Sequence, residues 1–283
     1  MVTSTENVPG ADTSNVIAET KGGDPNKVLV VGAHLDSVVE GPGINDNGSG
    51  ASTLLEVAEQ ISELKLVPRQ KIRFILFGAE ESGLLGSEHY VESLNDVQLG
   101  RIFANLNFDM LGSPNYVRFV YDGDGSDGDA GPPGSAQIEK VFTDYYAGQG
   151  LATEPTPFNG RSDYGPFIEV GIPAGGLFSG AEGEKTPEQA AIYGGTAEQP
   201  YDACYHQACD TVNNLNSKAL FELGDGAAHG IWTLAASTTG LYEDGSFRAQ
   251  ARTTDSAGSD SAAQAPARST TSSTPYTGHN LTR

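Results

Sequence analysis

The chain has 283 residues, and its 37 Asp and Glu outnumber its 16 Lys and Arg, which gives a formal charge of −21. This charge excludes partners that need a basic surface, such as nucleic acids and anionic membranes. The length suits one large α/β domain or two small domains. No stretch of the sequence reaches the roughly 18 apolar residues of a membrane-spanning helix.

The two ends of the chain differ in composition from its middle. Residues 246–283 carry four Arg, two Asp and 14 Ser or Thr, with few large apolar side chains. Such a segment cannot bury enough surface to offset its ordering entropy. We therefore predict a disordered tail at 246–283 and a folded domain at 15–245. Residues 1–14 show no signal-peptide pattern, so we expect either a cytosolic protein or a chain that begins downstream of its true start.

Strands and helices alternate through the middle of the chain. Continuous apolar runs predict strands at 27–33 and 71–77, and residues 49–64 between them have helical periodicity. Further strands are predicted at 102–108, 116–121 and 171–178, further helices at 84–94, 135–147 and 217–238, and a Gly-, Asp- and Pro-rich loop at 122–134. This order predicts a three-layer α/β/α sandwich with a mostly parallel central sheet.

One histidine and several acids follow the predicted strands or lie in the first loop. They are His34, Asp36, Asp46, Glu80, Glu81 and Asp109. Ligands of parallel sheets bind beyond the carboxyl ends of the strands, where these residues meet. Five carboxylates cannot all stay charged a few Å apart unless cations balance them. Histidine with carboxylates suits zinc, and also cobalt or manganese.

A pair of metals needs a bridging carboxylate and a second imidazole. The Gly-rich loop around Asp46 would let the backbone bend tightly around such a bridge. His206 is the candidate imidazole, because it lies between Cys204 and Cys209, which are either an intracellular pair or a short disulfide loop of an exported protein. The alternative is ordinary surface chemistry, with His206 in a solvated loop and Asp46 as a helix N-cap.

Several motifs occur in order between about residues 15 and 238. They are Gly-Gly-Asp-Pro-Asn-Lys-Val (22–28), Gly-Ala-His-Leu-Asp-Ser (32–37), Gly-Ile-Asn-Asp-Asn-Gly-Ser-Gly (43–50), Gly-Ala-Glu-Glu (78–81), Asn-Phe-Asp-Met (107–110), Gly-Arg-Ser-Asp (160–163) and Cys-Tyr-His (204–206). In these motifs the chain resembles the aminopeptidase Y family of di-zinc exopeptidases. It looks most like the small secreted bacterial leucine aminopeptidases of the actinobacterial type.

The resemblance implies a metal centre with two zinc ions. His34, Asp46, Glu81, Asp109 and His206 would be its ligands. Asp46 would bridge the ions, while His34 and Glu81 would bind different ions and His34 would pair with Asp109. The resemblance also implies a cis peptide bond after Asp46.

The resemblance further implies roles for the residues around the metals. Glu80 would be the general base, and Tyr205 would donate a hydrogen bond to the developing oxyanion. Asp36 would orient the His34 imidazole. Arg161 would help to bind substrate, and Phe178 would line an apolar pocket for the first side chain.

The chain also departs from the family. Residues 1–14 are dissimilar to the segment that opens the relatives. We do not expect the activating calcium of some relatives, because Phe221 stands where an acid is expected, although Asp225 is nearby. Tyr164 stands where relatives often have His, and we expect no loss of catalysis from it.

The sequence therefore predicts a secreted di-zinc aminopeptidase with a Cys204–Cys209 disulfide. We expect it to act as a monomer on the N-termini of peptides, with a preference for large apolar residues such as Leu. One alternative is a non-catalytic binding module on the same fold. Another is a related zinc carboxypeptidase or glutaminyl cyclase, although acidic residues near the metals disfavour a pocket for a substrate carboxylate.

Overall fold

The structure is a computed structural model, and it describes residues 12–242 and 244–247. Within these residues lies a seven-stranded sheet of strand order β1-β3-β2-β4-β7-β5-β6. Its strands are β1 (Val16–Glu19), β2 (Asp24–His34), β3 (Gln70–Phe77), β4 (Ile102–Phe108), β5 (Phe119–Tyr121), β6 (Glu154–Thr156) and β7 (Ala174–Phe178). Among the described strands, four of the six neighbouring pairs are parallel, and only β1–β3 and β5–β7 are antiparallel. The prediction of a mostly parallel sheet is confirmed.

Helices cover both faces of this sheet. They are α1 (Gly50–Glu63), α2 (Leu85–Ser93), α3 (Asp96–Leu99), α4 (Ser135–Gly148), α5 (Gly165–Glu169), α6 (Pro187–Tyr193) and α7 (Ser217–Ala236). Apolar residues of α1, α4 and α7 form one core with the first face, while α2 and α5 form a second core with the other face. This is the predicted three-layer α/β/α sandwich.

Strand β2 contributes to both cores. Leu29 and Val31 enter the first core, and Val28 and Val30 enter the second. A strand covered on both faces needs apolar residues at every position, which is why its sequence does not alternate. Burial of each such side chain contributes about 1.5–3 kcal/mol.

Helix α7 packs closely against α4 because two of its glycines lack side chains. A Cβ atom on Gly226 would lie 2.2 Å from the hydroxyl of Tyr146, and one on Gly230 would lie 2.3 Å from the ring of Phe142. The glycines that weaken the helical pattern in the sequence are therefore what allows the close approach of the two helices.

The elements that the sequence analysis missed are short. Strand β1 is an exposed edge strand of four residues, and Pro155 lies within the three-residue strand β6. The strand predicted at 171–178 begins at Ala174, after Pro173, which has no N–H for the sheet. Such elements depend on tertiary contacts, which propensity and periodicity do not report.

The described chain extends slightly into the predicted tail. The ring of Phe247 packs edge-on against Phe103 at 5.2 Å, and the ammonium of Lys27 lies 4.5 Å from its centre. The folded part therefore reaches Phe247, and the remainder of the predicted tail, 248–283, lies outside the described residues, as do residues 1–11. In the part of the chain that the structure describes, no helix is long and apolar enough to cross a membrane.

Candidate metal centre

The carboxyl ends of three neighbouring strands bring the predicted ligands together. His34 is the last residue of β2, Glu80 and Glu81 lie shortly after β3, and Asp109 directly follows β4. Strand β2 lies between β3 and β4 and is parallel to both, so these residues share one edge of the sheet.

Asp46 lies between the two imidazoles at this edge. Its Oδ1 is 3.1 Å from Nε2 of His34, which is also 3.2 Å from Oδ1 of Asp109. Its Oδ2 is 3.1 Å from Nε2 of His206, which is also 3.0 Å from Oε2 of Glu81. The five residues therefore form two groups that share one carboxylate.

The chemistry of these groups fits divalent cations. In each group of three, the donor atoms lie within 4.8 Å of one another. Oε1 of Glu81 is buried and has no hydrogen-bond partner among the residues that the structure describes. Buried polar atoms without partners are costly, and a cation at this place would satisfy them. Two imidazoles with three carboxylates are a donor set that suits zinc.

The crowded charges of the cluster perturb the pKa values of its side chains. Burial, together with Asp109 and other nearby carboxylates, raises the pKa of Glu80 to about 9. Burial alone would raise the pKa of Asp46, but contacts with His206 and His34 outweigh it and hold the pKa at about 2. Burial lowers the pKa of His206, but Asp46 and Glu81 outweigh it and raise the pKa to about 10. Cations bound at this cluster would compete with protons for its ligands.

A distant carboxylate holds the loop that carries Asp46. The two carboxylate oxygens of Asp210 accept the backbone N–H groups of Asn45 at 2.9 Å and of Asp46 at 3.1 Å. The side chain of Asn47 accepts the backbone N–H of Met110 at 3.2 Å and so ties the loop to the end of β4. The peptide bond between Asp46 and Asn47 is cis, as the resemblance implied.

Asp36 contacts His34 through its backbone oxygen. Nδ1 of His34 lies 3.1 Å from the backbone oxygen of Asp36, whereas the nearer carboxylate oxygen is 3.8 Å away. The carboxylate instead accepts the backbone N–H groups of Glu80 at 3.0 Å and of Glu81 at 3.2 Å. The backbone oxygen of Asp36 therefore contacts the imidazole, while its side chain binds the backbone of both glutamates.

Asp109 is held by a serine that sequence reasoning missed. The hydroxyl of Ser162 donates to Oδ2 of Asp109 at 2.7 Å and accepts from the side-chain amide of Asn107 at 2.8 Å. Ser162 lies in the Gly-Arg-Ser-Asp motif, which was the available signal. The neighbouring Asp163 is fully buried, and within the described residues neither of its oxygens has a hydrogen-bond partner. Burial raises its pKa to about 7.

A disulfide closes the loop that carries the second imidazole. Cys204 and Cys209 are bonded, with Cα atoms 5.3 Å apart. Inside this loop, the rings of Tyr205 and His206 stack with centroids 3.8 Å apart. The predicted disulfide is confirmed, and it brackets both residues of the loop to which the resemblance gives a role.

A cavity of about 270 Å³ opens beside the metal ligands. Phe178 lines it, as expected, and its ring stacks on Phe119 at 6.0 Å. The ring of Tyr201 meets Phe119 edge-on at 5.3 Å, so that three aromatic rings form one continuous wall. Glu80 also lines the cavity. Phe119 and Tyr201 carried no signal in the sequence, because isolated aromatic residues are usually part of a core.

Arg161 lies at the rim of the same cavity and is about half exposed. One guanidinium nitrogen donates to Oε1 of Glu182 at 2.7 Å, and another donates to the hydroxyl of Tyr205 at 3.3 Å. The hydrogen bond to Glu182 is the main cause that raises the pKa of Arg161. The structure thus places every predicted site residue around one centre and its adjoining cavity.

The chain is a three-layer α/β/α sandwich with a cluster of His and carboxylate side chains at the strand ends of its sheet. These features define a protein of the zinc-exopeptidase fold. Peptidase family M28 matches residues 15–231, and the chain belongs to this family. The chain is 54% identical over 228 residues to an aminopeptidase of Pseudomonas aeruginosa, an alignment that covers 80% of this chain and 42% of that protein. It is 51% identical over 230 residues to leucine aminopeptidase 2 of Trichophyton rubrum, with 81% and 46% covered.

A solved structure agrees with this assignment. The zinc aminopeptidase of Bacillus subtilis is similar with a TM-score of 0.65 and 29% sequence identity, over 82% of this chain and 53% of that one. The chain spans about half the length of the curated relatives that it matches.

Proposed function

We propose that the chain is a di-zinc aminopeptidase that removes large apolar residues, such as Leu, from the N-termini of peptides. The observation that carries the proposal is the position of Asp46, whose two oxygens each face a different imidazole at 3.1 Å. A carboxylate shared in this way is what a pair of metal ions requires.

The chain supplies the ligands in two sets. His34 and Asp109 would bind one zinc ion, Glu81 and His206 would bind the other, and Asp46 would bridge them. Bound zinc would polarise the scissile carbonyl and make a water molecule acidic near neutral pH. Cobalt or manganese could replace zinc with the same donors.

Glu80 is proposed as the general base. It lines the cavity, and its backbone is held by Asp36 next to the ligand Glu81. From there its carboxylate would accept a proton from the attacking water and pass it to the leaving amine. Tyr205 would donate a hydrogen bond to the carbonyl oxygen as negative charge develops on it.

The cavity supports the proposed specificity. The wall of Phe178, Phe119 and Tyr201 offers an apolar surface to the first side chain of a peptide. Carboxylates that also line the cavity suit an α-ammonium group, which a peptide carries beside its first side chain only at the N-terminus. The same carboxylates disfavour a carboxypeptidase. The names of the Pseudomonas and Trichophyton relatives agree with this choice.

We also propose that the protein works outside the cell. The Cys204–Cys209 disulfide supports this location, because disulfides persist mainly in oxidising compartments.

The proposal is tested by hydrolysis of leucine p-nitroanilide by the purified chain with zinc. The N-acetylated substrate is the matched control, since it differs only in the missing α-ammonium. We expect cleavage of the free amine alone, with glutamate p-nitroanilide cleaved much more slowly. Cleavage of both leucine substrates, or of neither, would contradict the proposal, and the absence of turnover would favour a binding module.

A further inference from the structure

The rim of the cavity carries an ion pair whose acid, Glu182, has no role in the proposed chemistry. Oε1 of Glu182 accepts from Arg161 at 2.7 Å, and Arg161 donates in turn to the hydroxyl of Tyr205 at 3.3 Å. We propose that Glu182 is a positioning residue, which holds Arg161 against Tyr205 and thereby fixes the direction in which the Tyr205 hydroxyl donates. This inference rests on the proposed function.

The direction in which the Tyr205 hydroxyl donates follows from the donors and acceptors that Arg161 and Tyr205 offer. A guanidinium group has donors and no acceptor, so the oxygen of Tyr205 must accept from Arg161. The single phenolic proton of Tyr205 is therefore turned away from Arg161. The ring itself cannot rotate freely, because it stacks on His206 at 3.8 Å within the disulfide loop. The proton is thus left for a partner in the cavity that both residues line.

Arg161 needs a second partner to stay in this position. Its side chain is flexible and about half exposed, so that a single hydrogen bond of 3.3 Å would compete with water and with conformational entropy. The planar guanidinium can span two acceptors at once. With one nitrogen held by Glu182, the other is directed to Tyr205.

The backbone around Glu182 is itself fixed to the segment that leads to Tyr205. The carbonyl oxygen of Ala181 accepts from the backbone N–H of Asp202 at 2.9 Å, and that of Gly183 accepts from Tyr201 at 2.8 Å. Glu182 therefore keeps a constant position relative to the disulfide loop. An exposed ion pair contributes little to stability, so we expect its effect on the reaction rather than on folding.

The test compares kinetics of Glu182→Ala with those of the wild type on leucine p-nitroanilide. Glu184→Ala is the matched control, because Glu184 is an exposed acid two residues further along the same segment. We expect kcat of Glu182→Ala to fall about tenfold, a part of the loss that follows removal of an oxyanion donor, with KM changed less than about twofold. Zinc content and melting temperature should match those of the control.

A double-mutant cycle separates positioning from other roles. Tyr205→Phe removes the hydroxyl, so adding Glu182→Ala to it should lower kcat by less than about twofold more. Binding gives a second readout that does not depend on turnover. The boronic acid analogue of leucine, which mimics the tetrahedral state, should bind Glu182→Ala more weakly in proportion to the loss of kcat, whereas leucinol, which has no carbonyl and no scissile bond, should bind both proteins equally.

Three results would overturn the inference while leaving the proposed function intact. The first is an unchanged kcat of Glu182→Ala. The second is an effect of Glu182→Ala on KM alone, which would place the ion pair in substrate binding. The third is additivity of the effects of Glu182→Ala and Tyr205→Phe on kcat. Failure of the proposed function is distinguishable, because the wild type would then not cleave leucine p-nitroanilide.

Discussion

Two acidic regions of the described chain look alike in composition and differ in how their charges are satisfied. One is the metal centre, and the other is the acidic loop of residues 122–129 with Glu139. Both bring at least three possible donor atoms within 4.8 Å of one another. In the loop, however, backbone N–H groups of Gly125, Ser126 and Asp127 donate to the carboxylate of Asp122 at 2.7–3.0 Å.

The metal centre lacks this internal compensation. Its buried Glu81 Oε1 has no hydrogen-bond partner among the described residues. Burial and neighbouring carboxylates raise the pKa of Glu80 to about 9, whereas the backbone donors outweigh burial and lower the pKa of Asp122. Crowded carboxylates therefore need cations only where backbone donors do not neutralise them.

The largest effect on activity is expected from substitution of Glu80, the proposed general base. Glu80→Gln should lower kcat on leucine p-nitroanilide by about 10²–10⁴-fold, because the amide cannot accept the proton of the attacking water. Zinc content should stay unchanged. The matched variant in the acidic loop, Glu139→Gln, should keep wild-type kcat. Loss of zinc from Glu80→Gln would show that Glu80 is a ligand rather than the base.

A smaller effect is expected on the stability of the folded protein when zinc is added. At a free zinc concentration of 100 times Kd, each site that binds only the folded protein adds about 2.7 kcal/mol to the free energy of unfolding. Zinc should therefore raise the melting temperature of the wild type and of Asp124→Asn, and it should have little effect on Asp46→Asn. An equal loss of the zinc effect in both variants would mean that the acidic loop binds zinc as well.

The smallest effect concerns Asp122 and pH. Because its folded pKa is below the unfolded value of about 3.9, its stabilising contribution is present above that value and is lost as pH falls through the folded pKa. Asp122→Asn should lower the free energy of unfolding by about 1–3 kcal/mol at pH 7, measured by urea denaturation. The difference should shrink as the pH falls from about 5 to about 2, and a constant difference would contradict this origin.

Several features of the site were accessible from the sequence for a simple physical reason. The long apolar run of β2 predicts a strand covered on both faces, and the ends of parallel strands meet at one edge of a sheet. His34, Glu80, Glu81 and Asp109 could therefore be placed together without coordinates. Asp46 and His206 required in addition the loop composition and the resemblance to a family.

The hydrogen-bond partners of these residues were not accessible in the same way. Asp210 supports Asp46 from 164 positions away, and Ser162 supports Asp109 from 53 positions away. No periodicity links such residues, because a polar contact depends on where the backbone of two distant loops comes to lie. For the same reason the sequence could not reveal that His34 contacts the backbone oxygen of Asp36.

Apolar periodicity and strand direction act locally, so they suffice to predict the layered sheet and several of the residues gathered at its edge. Which acids are neutralised by backbone donors depends also on contacts between distant parts of the chain. Asp122 is satisfied by the N–H groups of its own turn, whereas the carboxylates of the metal centre face one another from separate strands. That difference lies in the direction of backbone donors, which residue types alone do not specify.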